Sequence, residues 1–556
     1  MLKKIREILK EKNIDYALFL TADPHLSEYI CEYYKIREYL SGFTGSAGSL
    51  LVGLSEAYLF TDGRYFLQAE NELPKDIKLI KSPDFLSFIN ENLQNKSLYL
   101  DLTTISYANY IKLSKNIKII SNFSFIDKFY KKSLPKNNIY KHDKKFIGES
   151  LNTKIQKIQN HLKDKNYDYC IISSLSDIAY LTNLRGSCVE FNPVFLSYLI
   201  ISQKDATLYV DDCDYKLGLK IKKYNDFYKD LKHIKGNVIC DFASTNAKII
   251  KSLKANIIHE ISPASLQKAV KNTKELNYFK AAHIQDAIAL CEFDYWLSHT
   301  KEPLDELKIA EVLSSIRAKN ELYISDSFST IAGFNANSTI IHYKATPKNY
   351  SKITQDGIIL LDSGAQYLNG TTDITRVFAI GTPTKEQKQD YTKVLKAHIA
   401  MSKLIFPNGI KPYLLDSIAR KELWQFGLDY LHGTGHGVGY FLNVHETPPT
   451  LSLFSQNEIG FCEGMVLSIE PGVYHPNKYG IRIENLVYTK ASKFKDFLEF
   501  SSLTCFYYEI NLIDKTLLTK DEIKWLNIYH KKVYSSLKKY FKDDLLEFLK
   551  YKTRKI

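Results

Sequence analysis

The sequence predicts an α/β (α+β) chain in three parts, two tandem copies of one small α/β domain followed by a larger unit rich in carboxylate-bearing strands. Three observations lead there. KIREILKEKNIDY (4–16) aligns with KIQNHLKDKNYDY (157–169), and AYLFTD (57–62) answers ATLYVD (206–211) at nearly the same offset. A repeated helix-then-strand pattern is most economically a duplicated domain. The stretch KKSLPKNNIYKHDKK (131–145), polar, basic and broken by Pro135, reads as the linker between the copies. In the last third, Asp362, Asp373, His436, Glu470 and Glu484 fall in short segments that alternate apolar runs with glycines.

Each element follows from its residues. MLKKIREILKEKNIDYALFL interleaves Lys, Arg and Glu at helical spacing, so it is an amphipathic helix followed by the strand ALFL and lacks the unbroken apolar core of a signal peptide. The second copy repeats this with the strand CIIS. Around 262–272, SPASLQKAVKN passes into the long helical pattern KELNYFKAAHIQDAIALCEFDYWLSH, which opens the third unit. After residue 515 the chain turns helical and Lys-rich (TKDEIKWLNIYHKKVYSSLKKYF), a cap on that unit. The expected domains are 1–130, 146–270 and 271–556, in keeping with about 150 residues per domain.

Composition narrows the function classes. A hydrophobic content of 45% supports globular cores, and no segment offers the roughly 18–20 uncharged apolar residues that span a bilayer. The eight cysteines (31, 170, 188, 213, 240, 291, 462, 505) form no CxxC pair, which argues against a zinc cluster or a disulfide framework and predicts a cytoplasmic protein. The net charge of +13 is spread over the whole chain, with no basic block interleaved with aromatics, so it reads as a solvated surface rather than a nucleic-acid site.

Four carboxylates and one imidazole exceed what a single divalent ion uses economically, whereas two ions about 3.5–4 Å apart share bridging carboxylates. Asp362 ends the apolar strand GIILL and Asp373 opens ITRVFAI. A two-residue type I′ turn at Asn369-Gly370 would set Asp373 opposite Gln366, leaving Asp362 roughly 13 Å away along its strand. For the two aspartates to face each other the hairpin must centre between Tyr367 and Leu368, which predicts a longer or bulged turn. The four glycines of HGTGHGVG rule out a regular helix around His432 and His436 and suggest backbone passing close to a ligand. Glu470 ends the strand MVLSI before Pro471-Gly472, and Glu484 shares a strand face with Arg482 in GIRIENLV.

Taken together, these segments resemble the creatinase/methionine-aminopeptidase ("pita-bread") metallopeptidases, and the whole chain resembles the three-domain Xaa-Pro aminopeptidases (aminopeptidase P). EYLSGFTGSAGSLLV and FTDGRYFLQAENEL carry the likeness in the first copy, SDIAYLTNLRGS and NPVFLSYLI in the second. IIHYKAT, LLDSGAQYLNGTTDITR, HGTGHGVGYFLNVHE and GIRIEN carry it in the third unit. The implied fold is two creatinase-N-terminal-like domains followed by a pita-bread catalytic domain. Cys188 departs from the pattern, standing where the family usually has aspartate.

The resemblance implies a metallo-aminopeptidase that hydrolyses the N-terminal Xaa-Pro bond of peptides through a dinuclear centre and a bridging hydroxide. Asp373 and Glu484 would bridge two divalent ions, Asp362 would chelate one, and His436 and Glu470 the other. An oxygen-rich shell with one imidazole and no thiolate suits Mn²⁺, with Co²⁺ or Zn²⁺ as substitutes. Glu470 would shuttle a proton, His342 and His445 would stabilise the oxyanion, and His432 would help form the proline pocket. Arg482 would support the carboxylates. The implied partners are peptides with proline second and a second copy of the chain, with no nucleic acid or membrane. A prolidase-like dipeptidase is the alternative, disfavoured by the chain's length and its repeat. A non-catalytic peptide-binding protein is the other, disfavoured by the complete ligand set.

Overall fold

The computed structural model describes all residues except 114–116, 126–129, 131 and 456–458. The chain divides into two compact units, 1–142 with 149–267, and 143–148 with 268–556.

The first unit contains the duplication. Strands β1 (Tyr16–Leu20), β2 (Ser49–Gly53), β3 (Ala57–Phe60), β4 (Lys78–Ile80), β5 (Ser97–Leu100) and β6 (Lys118–Ile120) form a sheet ordered β4-β3-β2-β1-β5-β6. The second sheet uses β7 (Tyr169–Ile172), β8 (Ser197–Ser202), β9 (Ala206–Val210), β10 (Lys220–Lys222), β11 (Asn237–Cys240) and β12 (Asn256–His259) in the equivalent order β10-β9-β8-β7-β11-β12. In each, the second strand runs antiparallel to its neighbours and the other contacts are parallel. The repeat extends to the backbone. Helices α1 (Leu2–Glu11) and α2 (Leu151–Asp164) are each followed by an asparagine in the left-handed region, Asn13 at φ 52° and Asn166 at φ 53°. Asparagine tolerates that conformation. The next amide then reaches back into the helix, Ile14 N–H to Leu9 O (2.9 Å) and Tyr167 N–H to Leu162 O (2.8 Å).

The expected linker is no free tether. Tyr140–Lys141 pairs antiparallel with Leu184–Arg185, and Asn137 Oδ1 accepts from Leu196 N–H (2.8 Å); residue 131 lies outside the described residues. Cys188 is buried, and its thiol donates to Val194 O (3.3 Å). Burial pushes that thiol up, which keeps it protonated and unreactive.

The second unit opens with helix α3 (Thr273–His299), started by a capping box in which Asn272 accepts from Glu275 N–H and the Glu275 side chain accepts from Asn272 N–H. One sheet contains β13 (Ile331–Phe334), β14 (Gly357–Ser363) and β17 (Ile374–Ile380), ordered β13-β14-β17, and the small strands β15 (Ala365–Tyr367) and β16 (Gly370–Thr371) prolong its hairpin. A larger sheet is ordered β18-β25-β24-β21-β19-β20. Its strands are β18 (Ile405–Pro407), β19 (Gly435–Gly437), β20 (Glu446–Leu451), β21 (Val466–Ile469), β24 (Asn485–Ala491) and β25 (Phe497–Ser502). The hairpin β22 (Gly472–His475) and β23 (Tyr479–Arg482) pairs separately. Helices α4 (Glu306–Arg317), α5 (Lys385–Ser402) and α6 (Tyr413–Trp424) cover the sheets, and α7 (Lys520–Leu537) and α8 (Asp543–Lys552) close the chain. One apolar core unites Leu290 and Phe293 of α3, Leu361 and Val377 of the first sheet, Leu467 and Ile469 of the second, Ile481, and Leu526 of α7. Each fully buried aliphatic side chain there stabilises the fold by about 1.5–3 kcal/mol.

The hairpin register corrects the sequence-based expectation. Asp362 pairs with Thr375 and Ser363 with Ile374, and beyond them Gln366 pairs with Thr371 and Tyr367 with Gly370. A two-residue turn at Leu368-Asn369 therefore closes a continuous register, without the longer or bulged turn centred one residue earlier. Asp373 falls opposite Gly364, diagonal to Asp362 and on the same face. Diagonal side chains are still within reach of each other.

Candidate active site

The site is assembled from strand ends. Asp362 comes from β14, Asp373 from the residue before β17, His436 from the middle of β19, and Glu470 from just after β21. Glu484 is not inside a strand, as its alternating surroundings suggested, but at the corner between β23 and β24. That corner is wholly buried: Arg482 and Glu484 are each 1% exposed. The glycines around His436 have a different reason from the one expected. A Cβ on Gly435 would lie 1.9 Å from Ser468 O, and one on Gly437 would lie 2.5 Å from Glu446 O. It is the flanking strands that crowd this backbone.

Ligand atoms of Asp373, His436 and Glu484 lie within 4.8 Å of one another. His436 Nε2 is 3.6 Å from Asp373 Oδ2 and 3.4 Å from Glu470 Oε1. Its Nδ1 faces Gly437 O at 3.0 Å and donates there, so in the neutral ring the lone pair of Nε2 is turned toward the carboxylates. Asp362 accepts from Arg482 Nη2 (2.6 Å), and Glu484 Oε2 accepts from Thr375 Oγ1 (2.8 Å). Asp362 Oδ1 and Asp373 Oδ1 are buried with no hydrogen-bond partner among the described residues.

The electrostatics match that geometry. Burial, then the charges of Glu484, Asp362 and Glu470, hold the Asp373 carboxyl well above its ordinary range. Burial, then Glu470 and Asp362, do the same to Glu484. Glu470 is pushed up to about 7, chiefly by burial, with Arg482 opposing and Asp362 adding to the shift. Four carboxylates crowded out of water with one arginine among them are a frustrated arrangement. Divalent cations relieve it, and the two orphaned carboxylate oxygens and the aimed imidazole nitrogen are the atoms they would take. The residues fit a metal centre.

Around this cluster, His445 meets His436 edge to face, with ring centroids 4.4 Å apart. His432 Nε2 lies 2.9 Å from the Tyr474 hydroxyl, which accepts from Arg482 Nη1 (2.7 Å), so a hydrogen-bonded path joins His432 to Asp362. His342 lies on a short loop whose Ile341 carbonyl accepts from Arg482 Nη2 (3.4 Å). Glu306 secures that loop by accepting from the Tyr343 hydroxyl (2.7 Å) and the Ser351 amide (2.7 Å). The five proposed ligands, His432, His445 and Arg482 thus share one neighbourhood, and His342 follows the Ile341 carbonyl that Arg482 holds. Two members were missed. Thr375 lies two residues after Asp373 in β17, and Tyr474 lies two residues after Gly472, which pairs with Arg482; period-two alternation from Arg482 across that hairpin was the signal for the tyrosine.

Comparison with known proteins agrees with the geometry. The creatinase/prolidase N-terminal domain family matches twice, at 1–128 and 130–275. Metallopeptidase family M24 matches 277–491, and the C-terminal region of peptidase M24 matches 496–556. A probable Xaa-Pro aminopeptidase P of Coprinopsis cinerea is 36% identical, covering 100% of this chain and 98% of its own length. Xaa-Pro aminopeptidase 1 of Dictyostelium discoideum is 37% identical over 96% of this chain and 92% of its own. Among solved structures, an X-prolyl aminopeptidase of Caenorhabditis elegans, described as a cytosolic enzyme with a di-nuclear active site, superposes with a TM-score of 0.94 at 31% identity, covering 98% of this chain and 95% of that one. A prolidase of Pyrococcus horikoshii reaches a TM-score of 0.54 at 26% identity and covers 64% of this chain. Duplicated amino-terminal domains, catalytic domain and carboxy-terminal region all match in order, and the chain belongs to metallopeptidase family M24, in its Xaa-Pro aminopeptidase (aminopeptidase P) branch.

Proposed function

We propose that this chain is a metal-dependent Xaa-Pro aminopeptidase, releasing the first residue of peptides that carry proline second. The observation that carries the reading is the convergence of Asp362, Asp373 and Glu484, all buried, with the half-buried His436 and Glu470 in one cluster whose carboxyls repel one another. Asp373 and Glu484 would be shared by the two ions, Asp362 would hold one of them, and His436 and Glu470 would hold the other. Mn²⁺ suits this oxygen-rich set, with Co²⁺ or Zn²⁺ able to substitute. When bound, the two ions supply Lewis acidity and a water made acidic enough to attack at neutral pH.

The chain's own residues do the rest. Glu470, at the edge of the metal cluster, would accept a proton and return it to the leaving amine. His445 and His342 donate toward the oxygen of the scissile amide, and His432, oriented by Tyr474, lines the side that receives the proline ring. Arg482 holds Asp362 in place. An Xaa-Pro amide has no N–H, so a site that grips ring and carbonyl suits it.

Three domains, 1–130, 146–270 and 271–556, are proposed, in step with the family boundaries near 128 and 275. The C. elegans relative's cytosolic description, together with the finding that no helix among the described residues is long and apolar enough to cross a membrane, supports a cytoplasmic setting. A homodimer is proposed from an exposed apolar patch around α6. The deciding experiment is hydrolysis of Arg-Pro-Pro, Arg-Ala-Pro and Gly-Pro by metal-stripped and Mn²⁺-loaded enzyme. Cleavage of Arg-Pro-Pro alone, lost on chelation, is expected. Cleavage of Gly-Pro only would move the chain to the dipeptidases, and full activity without metal would remove the dinuclear reading.

A further inference from the structure

Arg376 stands three residues after Asp373 and is 2% exposed. A guanidinium has five N–H donors, and here all five are used. Nε donates to Tyr507 O (2.8 Å), Nη1 to Thr375 O (2.9 Å) and Glu484 O (2.6 Å), and Nη2 to Asn485 Oδ1 (2.8 Å) and Phe506 O (2.8 Å). None of these acceptors is a carboxylate. Three separate segments are joined: β17, the corner that carries Glu484, and residues 506–507.

The 503–509 segment has no helix or strand spanning it, and its far side is anchored to the end of the chain. The Tyr507 hydroxyl donates to Asp294 Oδ2 (2.6 Å) on α3, and the Tyr529 hydroxyl of α7 donates to Phe506 O (3.0 Å). Lys552, in the last turn of α8, bonds Asp294 (3.0 Å) and Glu509 (2.8 Å). A continuous run of contacts therefore leads from the carboxy-terminal helix to the main chain of Glu484.

We infer that the carboxy-terminal region, 496–556, is a working part of the metal centre, and that Arg376 is a positioning residue through which it fixes Glu484, one of the residues that would hold the metal. A planar fork reaching four main-chain carbonyls and one side-chain amide sets orientation in a way that a lysine point charge does not. Groups that orient metal ligands typically change metal affinity by 10–100-fold when lost. This inference rests on the metal reading above.

The test is calorimetric titration of Mn²⁺ into the metal-stripped full-length chain, comparing wild type, Arg376→Lys and Tyr507→Phe under conditions where circular dichroism shows each folded. Arg376→Lys is expected to bind Mn²⁺ on the order of 10–100-fold more weakly, with turnover restored by excess Mn²⁺ and KM unchanged. Tyr507→Phe, which keeps its packing and loses one hydrogen bond, is expected to bind a few-fold more weakly, with faster amide exchange at Glu484 and Asn485 in the metal-free state. Wild-type affinity in a folded Arg376→Lys overturns the inference. Should that variant not fold, wild-type affinity and exchange in Tyr507→Phe overturn it. Failure of the wild type itself to take up Mn²⁺ defeats the metal reading instead.

Discussion

Glu470 concentrates the electrostatic conflict of the site. Its carboxyl titrates near 7 when folded and near 4.3 when unfolded. Between those values the folded state holds the extra proton. That contribution to stability is therefore present below the unfolded pKa and is lost as pH rises through 7, by up to about 4 kcal/mol. In chelated protein, Glu470→Gln should gain stability over wild type between pH 5 and pH 8, measured by urea unfolding; a gap that does not change with pH refutes the assignment. Asp373→Asn and Glu484→Gln should likewise raise the melting temperature of the metal-free protein while abolishing activity, because each removes a buried carboxylate that burial and its neighbours already disfavour. His445 is a different kind of residue. It packs on His436 and is not among the five proposed ligands, so His445→Ala should cost on the order of 10²–10³ in turnover while the metal content, read by elemental analysis, stays at the wild-type level.

At the scale of elements, the histidine loop is held by α6. Arg420 donates to Asp416 Oδ2 (2.8 Å), Tyr430 O (2.7 Å) and His432 O (2.6 Å), and Asp416 also accepts from the Leu453 amide (2.9 Å). Arg420→Lys keeps the charge and loses the fork, and kcat/KM should fall on the order of 10-fold with metal content retained; unchanged kinetics would show that the loop holds itself. These grips also explain what the sequence could and could not reveal. The ligands were legible because carboxylates at the ends of apolar strands are chemically conspicuous. The hairpin register was not, because Asn369-Gly370 is a strong turn signal that lost to pairing. Tyr367 pairs with Gly370 and Gln366 with Thr371, so the turn moved one residue toward the amino end. The glycines of HGTGHGVG signalled close approach correctly, but the approaching groups are Ser468 O and Glu446 O from neighbouring strands, which no local pattern announces. The burial of Glu484 was not legible for a related reason. Alternation describes faces, and only the tertiary fold decides that both faces of GIRIEN are covered.

At the scale of the molecule, the duplication was readable because each copy had to keep the same helix, asparagine turn and strand to build the same sheet. The surface of the catalytic unit was less readable, since single exposed apolar residues are ordinary and only their grouping carries meaning. The grouping around α6 is large. Leu414, Trp424, Phe426, Leu431, Leu453 and Phe454 are 52, 45, 45, 59, 43 and 69% exposed. Phe454 lies 5.5 Å from the Arg420 guanidinium, and that guanidinium bonds the carbonyls on either side of Leu431. An apolar surface of this kind beside a catalytic loop is stable in water when a second copy covers it, and an isologous contact makes the patch meet itself. The wild type should therefore sediment as a dimer of 64.1 kDa chains. Leu431→Asp combined with Phe454→Asp would place like charges across the proposed two-fold contact and should yield monomers by sedimentation velocity. Because Leu431 adjoins His432, activity should fall with dimer content and recover with protein concentration in the single variant Phe454→Asp. A wild type that stays monomeric at micromolar concentration would refute the homodimer, and a double variant that stays dimeric would move the interface away from α6.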